Sequence, residues 1–122
     1  MARKILKVSL DIDPPEGEAA VIISERDCKA NNKNIRWVRA QDEGEDDVSP
    51  DFEFWRLNEL DQAEFPYQGI SQNRHRVFCN NDAPDTTQEY KYVLVVKYDG
   101  IEYDSTETGG LPPNPKPVIR NK

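Results

Sequence analysis

The sequence predicts an all-β domain, a sandwich or barrel of about seven short antiparallel strands. Three observations carry that expectation. Apolar residues recur with period two in one run after another, and turn residues interrupt those runs about every ten positions. No helical period lasts the ~8–20 residues of an ordinary helix. At 122 residues the chain is a single domain's length, long enough to hide roughly two thirds of its unfolded surface. Residues 1–122 are therefore read as one domain, with a Pro-rich C-terminal arm over 109–122.

The first run sets Leu6, Val8, Leu10 and Ile12 on one side and Lys7, Ser9, Asp11 and Asp13 on the other. That is a strand with one wet face. Asp13-Pro-Pro-Glu-Gly17 breaks it, and residues 19–25 form a second strand. An Asn- and Lys-rich loop precedes a third strand over 34–40, and an acidic loop covers 42–51. Residues 52–57 form a fourth strand. Asn58 to Glu64 offers at most one short helical turn, because its apolar stripe is narrow and Pro66 ends it. Residues 74–80 make a fifth strand.

Residues 88–98 read as the longest strand, rich in the Val and Tyr that suit a pleated surface. Asp99-Gly100 then supplies a two-residue hairpin turn into Ile101-Glu102-Tyr103. The inward faces give an expected core of Leu6, Val8, Leu10, Val21, Ile23, Trp37, Phe52, Phe54, Tyr92, Leu94 and Val96. Past Gly109-Gly110, four prolines impose an extended path. The arm reads either as a ligand for an aromatic groove or as a stiff lead into Val118-Ile119-Arg120, a terminal edge strand.

Trp37 on the third strand, and Tyr90-Lys-Tyr92 opening the long one, give the pattern a likeness to known domains. It resembles an immunoglobulin-like or fibronectin type III-like domain. The resemblance implies a core tryptophan, a tyrosine corner, and an inward position that is cysteine in immunoglobulin domains and Tyr92 here. It also implies that an apolar Ile23–Trp37–Tyr92 contact replaces their disulfide. It implies little about activity, because a shared fold does not fix a function.

Charge and composition exclude several classes of function. Sixteen Lys and Arg against 23 Asp and Glu leave a net charge of −7, which argues against a general nucleic-acid binder. No run approaches the ~20 apolar residues of a membrane span. Lys4 and Lys7 interrupt the apolar start, so no secretory signal is read there and a cytoplasmic protein is expected. No phosphate loop, GxSxG elbow or HExxH motif occurs. No cofactor is expected.

Cys28 and Cys79 are expected as free thiols at opposite poles, on the reading that the second and fifth strands run antiparallel. His75, the only histidine, is expected at a solvent edge or packed on a strand face, sharing that face with Val77. Asp42, Glu45, Asp46 and Asp47 offer hard oxygen ligands for calcium, set against the plainer reading of a solvated loop. Phe52 and Phe54 facing inward would turn Trp55 outward, where with Tyr67 and Tyr103 it would build a stacking platform. The alternative is a second layer covering it.

The expectation for function is a non-enzymatic protein-interaction module or accessory subunit, its partner another protein or a second copy. The alternative is a carbohydrate-binding module, with Trp55 and Tyr67 stacking on sugar rings and calcium in the acidic loop.

Overall fold

The computed structural model describes residues 3–45, 48–110 and 112–122. In chain order the strands are β1 (Arg3–Leu10), β2 (Val21–Ile23), β3 (Asp27–Lys29), β4 (Asn34–Arg39), β5 (Glu53–Asn58), β6 (Gly69–Ile70), β7 (Arg76–Cys79), β8 (Tyr90–Lys91), β9 (Val93–Tyr98), β10 (Ile101–Asp104) and β11 (Val118–Arg120). They form a five-stranded sheet in the order β2-β1-β4-β7-β6 and two three-stranded sheets, β10-β9-β5 and β3-β11-β8. The fold is all-β. Among the described residues no helix is long and apolar enough to cross a membrane.

Side chains from all three sheets meet in one core. The eleven expected core residues are all buried, and Cys28, Ile35, Leu60, Phe65, Val77, Cys79, Tyr90 and Ile119 join them. Trp37 and Tyr92 pin the layers together. Their rings meet edge to face with centroids 5.2 Å apart, and the Trp37 Nε1–H donates to the Tyr92 hydroxyl at 3.2 Å. Burial supplies the apolar gain, and the hydrogen bond spares an indole N–H from going unpaired.

Two pairings depart from the antiparallel expectation. β1 lies parallel to β4, with Leu6 opposite Trp37, and β11 lies parallel to β3. Parallel neighbours need a crossover. Here β2 turns back antiparallel to β1, β3 crosses into another sheet, and β4 returns on the far side of β1.

The expected long strand over 88–98 is also divided. β8 pairs with β11 while β9 pairs with β5 and β10. Tyr92 stands at the switch and donates its amide to Pro117 O at 3.1 Å. The longest strand is instead β1. Asp99-Gly100 closes the β9–β10 hairpin with φ of 51° and 77°, the left-handed pair such a turn requires.

The C-terminal strand is not an edge. β11 sits between β3 and β8, bonded on both sides. The Pro-rich arm is held on its way there, with Pro115 O accepting from Arg26 Nη2 at 2.7 Å. Near 58–64 one turn forms, where the Asp61 carboxylate caps the amides of Ala63 and Glu64 and sends Phe65 into the core against Tyr90. A single 3-10 turn also forms over Ala40–Glu43 and ends at Gly44.

Tyr92→Phe removes the acceptor of a buried indole N–H and is expected to cost about 1–3 kcal/mol. Tyr92→Ala adds a cavity and is expected to cost about 3–5 kcal/mol. Denaturant melts of the two variants should keep that order. Equal, small losses would show that this pin does not join the layers.

Candidate interaction surface

Strand alternation gives the five-stranded sheet an inner and an outer face. Leu6, Trp37 and Val77 form one row of aligned neighbours and point into the core. The next row, Ile5, Arg36, Phe78 and Gly69, points away from it. Ile22 on the edge strand β2 shares that outer face, and the edge runs on into a cleft of about 400 Å³ lined by Leu10, Ile12, Ile22, Val48 and Pro50. At the opposite margin Tyr67 stands with Phe78 and Arg36 around a second cleft.

The three aromatic residues expected to form a platform lie at separate places. Trp55 is the extra residue of a β-bulge in β5, where the register against β9 slips between Phe54 and Arg56. It is half-buried on the sheet's outer side, and its ring already meets two cations, Lys97 Nζ at 4.1 Å and Arg74 Cζ at 4.4 Å from the centroid. Tyr67 is 79% exposed, with a left-handed φ of 59°. Tyr103 packs partly buried against the core from β10.

The acidic loop has an occupant that sequence reasoning missed. Arg39 takes the inward position after Ile35 and Trp37 and is 5% exposed. Its Nε and Nη2 each donate to the Asp42 carboxylate at 2.8 Å, and its Nη1 donates to Asp51 and to Phe52 O. A buried guanidinium is tolerable only with such partners. The loop therefore closes over an internal cation. Glu45 reaches across to pair with Lys7. Asp46 and Asp47 lie outside the described residues.

The Arg39 hydrogen bonds, ahead of burial opposing them, hold the Asp42 carboxyl below its ordinary range. His75 precedes β7 instead of sharing a strand face with Val77, and its Nδ1 lies 3.7 Å from Asp42 Oδ2. It is half-exposed. Among the described residues, no group of three or more His, Cys, Asp or Glu gathers as metal ligands would.

Both cysteines are free and buried, but not at opposite poles. Each sits close enough to act electrostatically on the same Tyr92 phenol. β7 runs in the same direction as β2, so the antiparallel premise fails. They stand in different sheets, Cys28 opposite Ile119 and Cys79 opposite Ile35. Burial pushes the Cys28 thiol up to about 11 and the Cys79 thiol up to about 12. Neither thiol is a ready nucleophile at neutral pH. No protein-family model matches this chain, and comparison with characterised proteins finds no match.

An acid with a depressed folded value adds stability above its unfolded value, lost as pH falls through the folded one. Asp42→Asn should therefore lower the melting temperature at pH 7 and flatten its decline below about pH 4; an unchanged acid limb would contradict the Arg39 pairing. The thiols act at the other end of the scale. Unfolded cysteines ionise near 9.0, well below the folded values, so stability should fall as pH rises above about 9. Thiol reagent at pH 8 should label the folded protein slowly and both cysteines once it is unfolded; fast labelling of native protein would contradict their burial.

Proposed function

We propose that this domain is a non-enzymatic protein-interaction module that contacts its partner through the outer face and β2 edge of the five-stranded sheet. One observation carries the reading. Of the seven large apolar side chains exposed among the described residues, six lie on or beside that sheet: Ile5, Ile12, Ile22, Val48, Tyr67 and Phe78. Only Ile101, at the β9–β10 hairpin, lies elsewhere. Single exposed apolar residues are ordinary, but their concentration about one sheet, along its outer face and at both margins, marks a contact surface. β2 adds an open edge, which a partner's strand can extend.

The proposal includes an immunoglobulin-like sandwich as the architecture, supported by the Trp37–Tyr92 contact at its centre. Two buried, unbridged thiols suit the reducing cytoplasm. The carbohydrate reading has less in its favour, since Trp55, Tyr67 and Tyr103 stand apart and cations already occupy the Trp55 ring.

Affinity capture from a lysate of the source organism, with wild type and an Ile22→Asp/Phe78→Asp double variant, tests the proposal. Light scattering on the purified protein tests self-association in parallel. We expect a partner, or a second copy, held by wild type and about tenfold less by the variant, a loss of about 1.4 kcal/mol. The variant's melting temperature should stay close to that of wild type. Equal capture by both proteins sinks the reading.

A further inference from the structure

The same outer face carries a second pattern, made of charge. Arg3 on β1, Arg36 on β4 and Arg76 on β7 all project from it. Burial, and then the like charges of Arg3 and Arg76, lower the proton affinity of Arg36. Among the described residues none of these three makes an ion pair, although Lys4 and Lys7 on the same strand as Arg3 each meet a carboxylate. Acids outnumber bases 23 to 16 in the chain, yet on this face three guanidiniums lie near enough to repel one another. The Arg36 Nε is buried and makes no hydrogen bond within the chain, so the guanidinium is not already tied down by a neighbour there.

The surroundings of Arg36 are shaped as well as charged. Arg3, Arg36, Asn34 and Asn80 border a cleft of about 310 Å³ together with Tyr67 and Phe78. The Phe78 ring lies across the edge strand at Gly69, where a Cβ would stand 2.7 Å from Phe78 Cε2. Glycine at 69 is what lets the ring lie there. Tyr67, held in a left-handed conformation unusual for a side chain of its size, projects beside it.

We propose that this cleft binds a short acidic segment of a partner protein, with its carboxylates on Arg3 and Arg36 and an apolar side chain between Tyr67 and Phe78. The proposal rests on the reading of this face as a protein-contact surface and names the partner's chemistry. Guanidinium forks match carboxylates in two-point geometry. A nucleic-acid strand fits less well. Towards its other end the face meets Glu45, paired with Lys7, and Asp42 and Glu43, beside Arg76. A continuous phosphate backbone would run into those acids, and the net charge of −7 would repel it. A short segment ending in the cleft avoids both.

The probe is a fluorescein-labelled peptide of eight residues, with six carboxylates around a central Leu-Phe pair, followed by fluorescence anisotropy. Its controls are the same peptide with amides in place of carboxylates, and a single-stranded RNA of equal length. Wild type should bind the acidic peptide, more weakly as salt rises, and bind the amide peptide and the RNA at least about tenfold less well. Arg3→Gln/Arg36→Gln should lower the affinity about tenfold, and so in smaller measure should Arg36→Gln alone. Neither should lower the melting temperature, because both relieve like-charge repulsion. No preference for the acidic peptide, or affinity unchanged in the Gln variants, overturns the proposal. So does tighter RNA binding, or an oligomer of wild type that the Gln variants dissolve, which would make a second copy the occupant. If the peptide fails while Ile22→Asp/Phe78→Asp still loses its captured partner, the charge assignment falls and the contact face stands. If both fail, both readings fall.

Discussion

The fold depends on the direction Trp37 faces. An indole buried with its N–H unpaired would be costly, so Trp37 can stay inside only where an acceptor waits. Tyr92 is that acceptor, at the point where one continuous stretch of chain leaves the β8 sheet and enters the β9 sheet. The contact therefore ties the five-stranded sheet to the place where the other two are joined. Burial drives the Tyr92 phenol well above its ordinary value, which keeps it protonated and neutral at any physiological pH.

Once Trp37 points inward, pleating settles its neighbours on β4. Arg36 and Val38 must face outward, and Arg39 must come back in. Parallel pairing carries the same phase to β1 and antiparallel pairing carries it to β7. The inward Arg39 then dictates the acidic loop, whose Asp42 and Asp51 close over it. Charge is sorted by the same phase. Acids that would otherwise sit as a solvated run neutralise one internal cation and one lysine, and three arginines on the outer face make no ion pair among the described residues.

Much of the fold was legible because burial has a simple period. Alternation located the core of β1, β2, β4, β5 and β9, and Asp-Gly marked the hairpin by its left-handed requirement. Pairing partners were not legible. Nothing local distinguishes a parallel β1–β4 neighbour from an antiparallel one, nor shows that Tyr92 interrupts what reads as one strand. Val118-Ile119-Arg120 read as an edge because prolines precede it, but those prolines lie before the strand and cost it no ladder bonds. Arg39 gave a signal that went unused, a charge on the inward phase of an apolar strand followed by a cluster of acids. The outer-face arginines are separate in sequence and become neighbours only through the sheet register.

Adjacent rows of the five-stranded sheet have opposite duties: the inner row holds the fold, and the outer row, the face we propose for a partner, adds little to stability. Alanine substitution along both rows, with unfolding free energy measured for each variant, tests it most directly. Leu6, Trp37 and Val77 should each lose about 2–5 kcal/mol. Ile5, Arg36 and Phe78 should each lose about 1 kcal/mol or less. Losses in the outer row as large as those in the inner one would contradict the account.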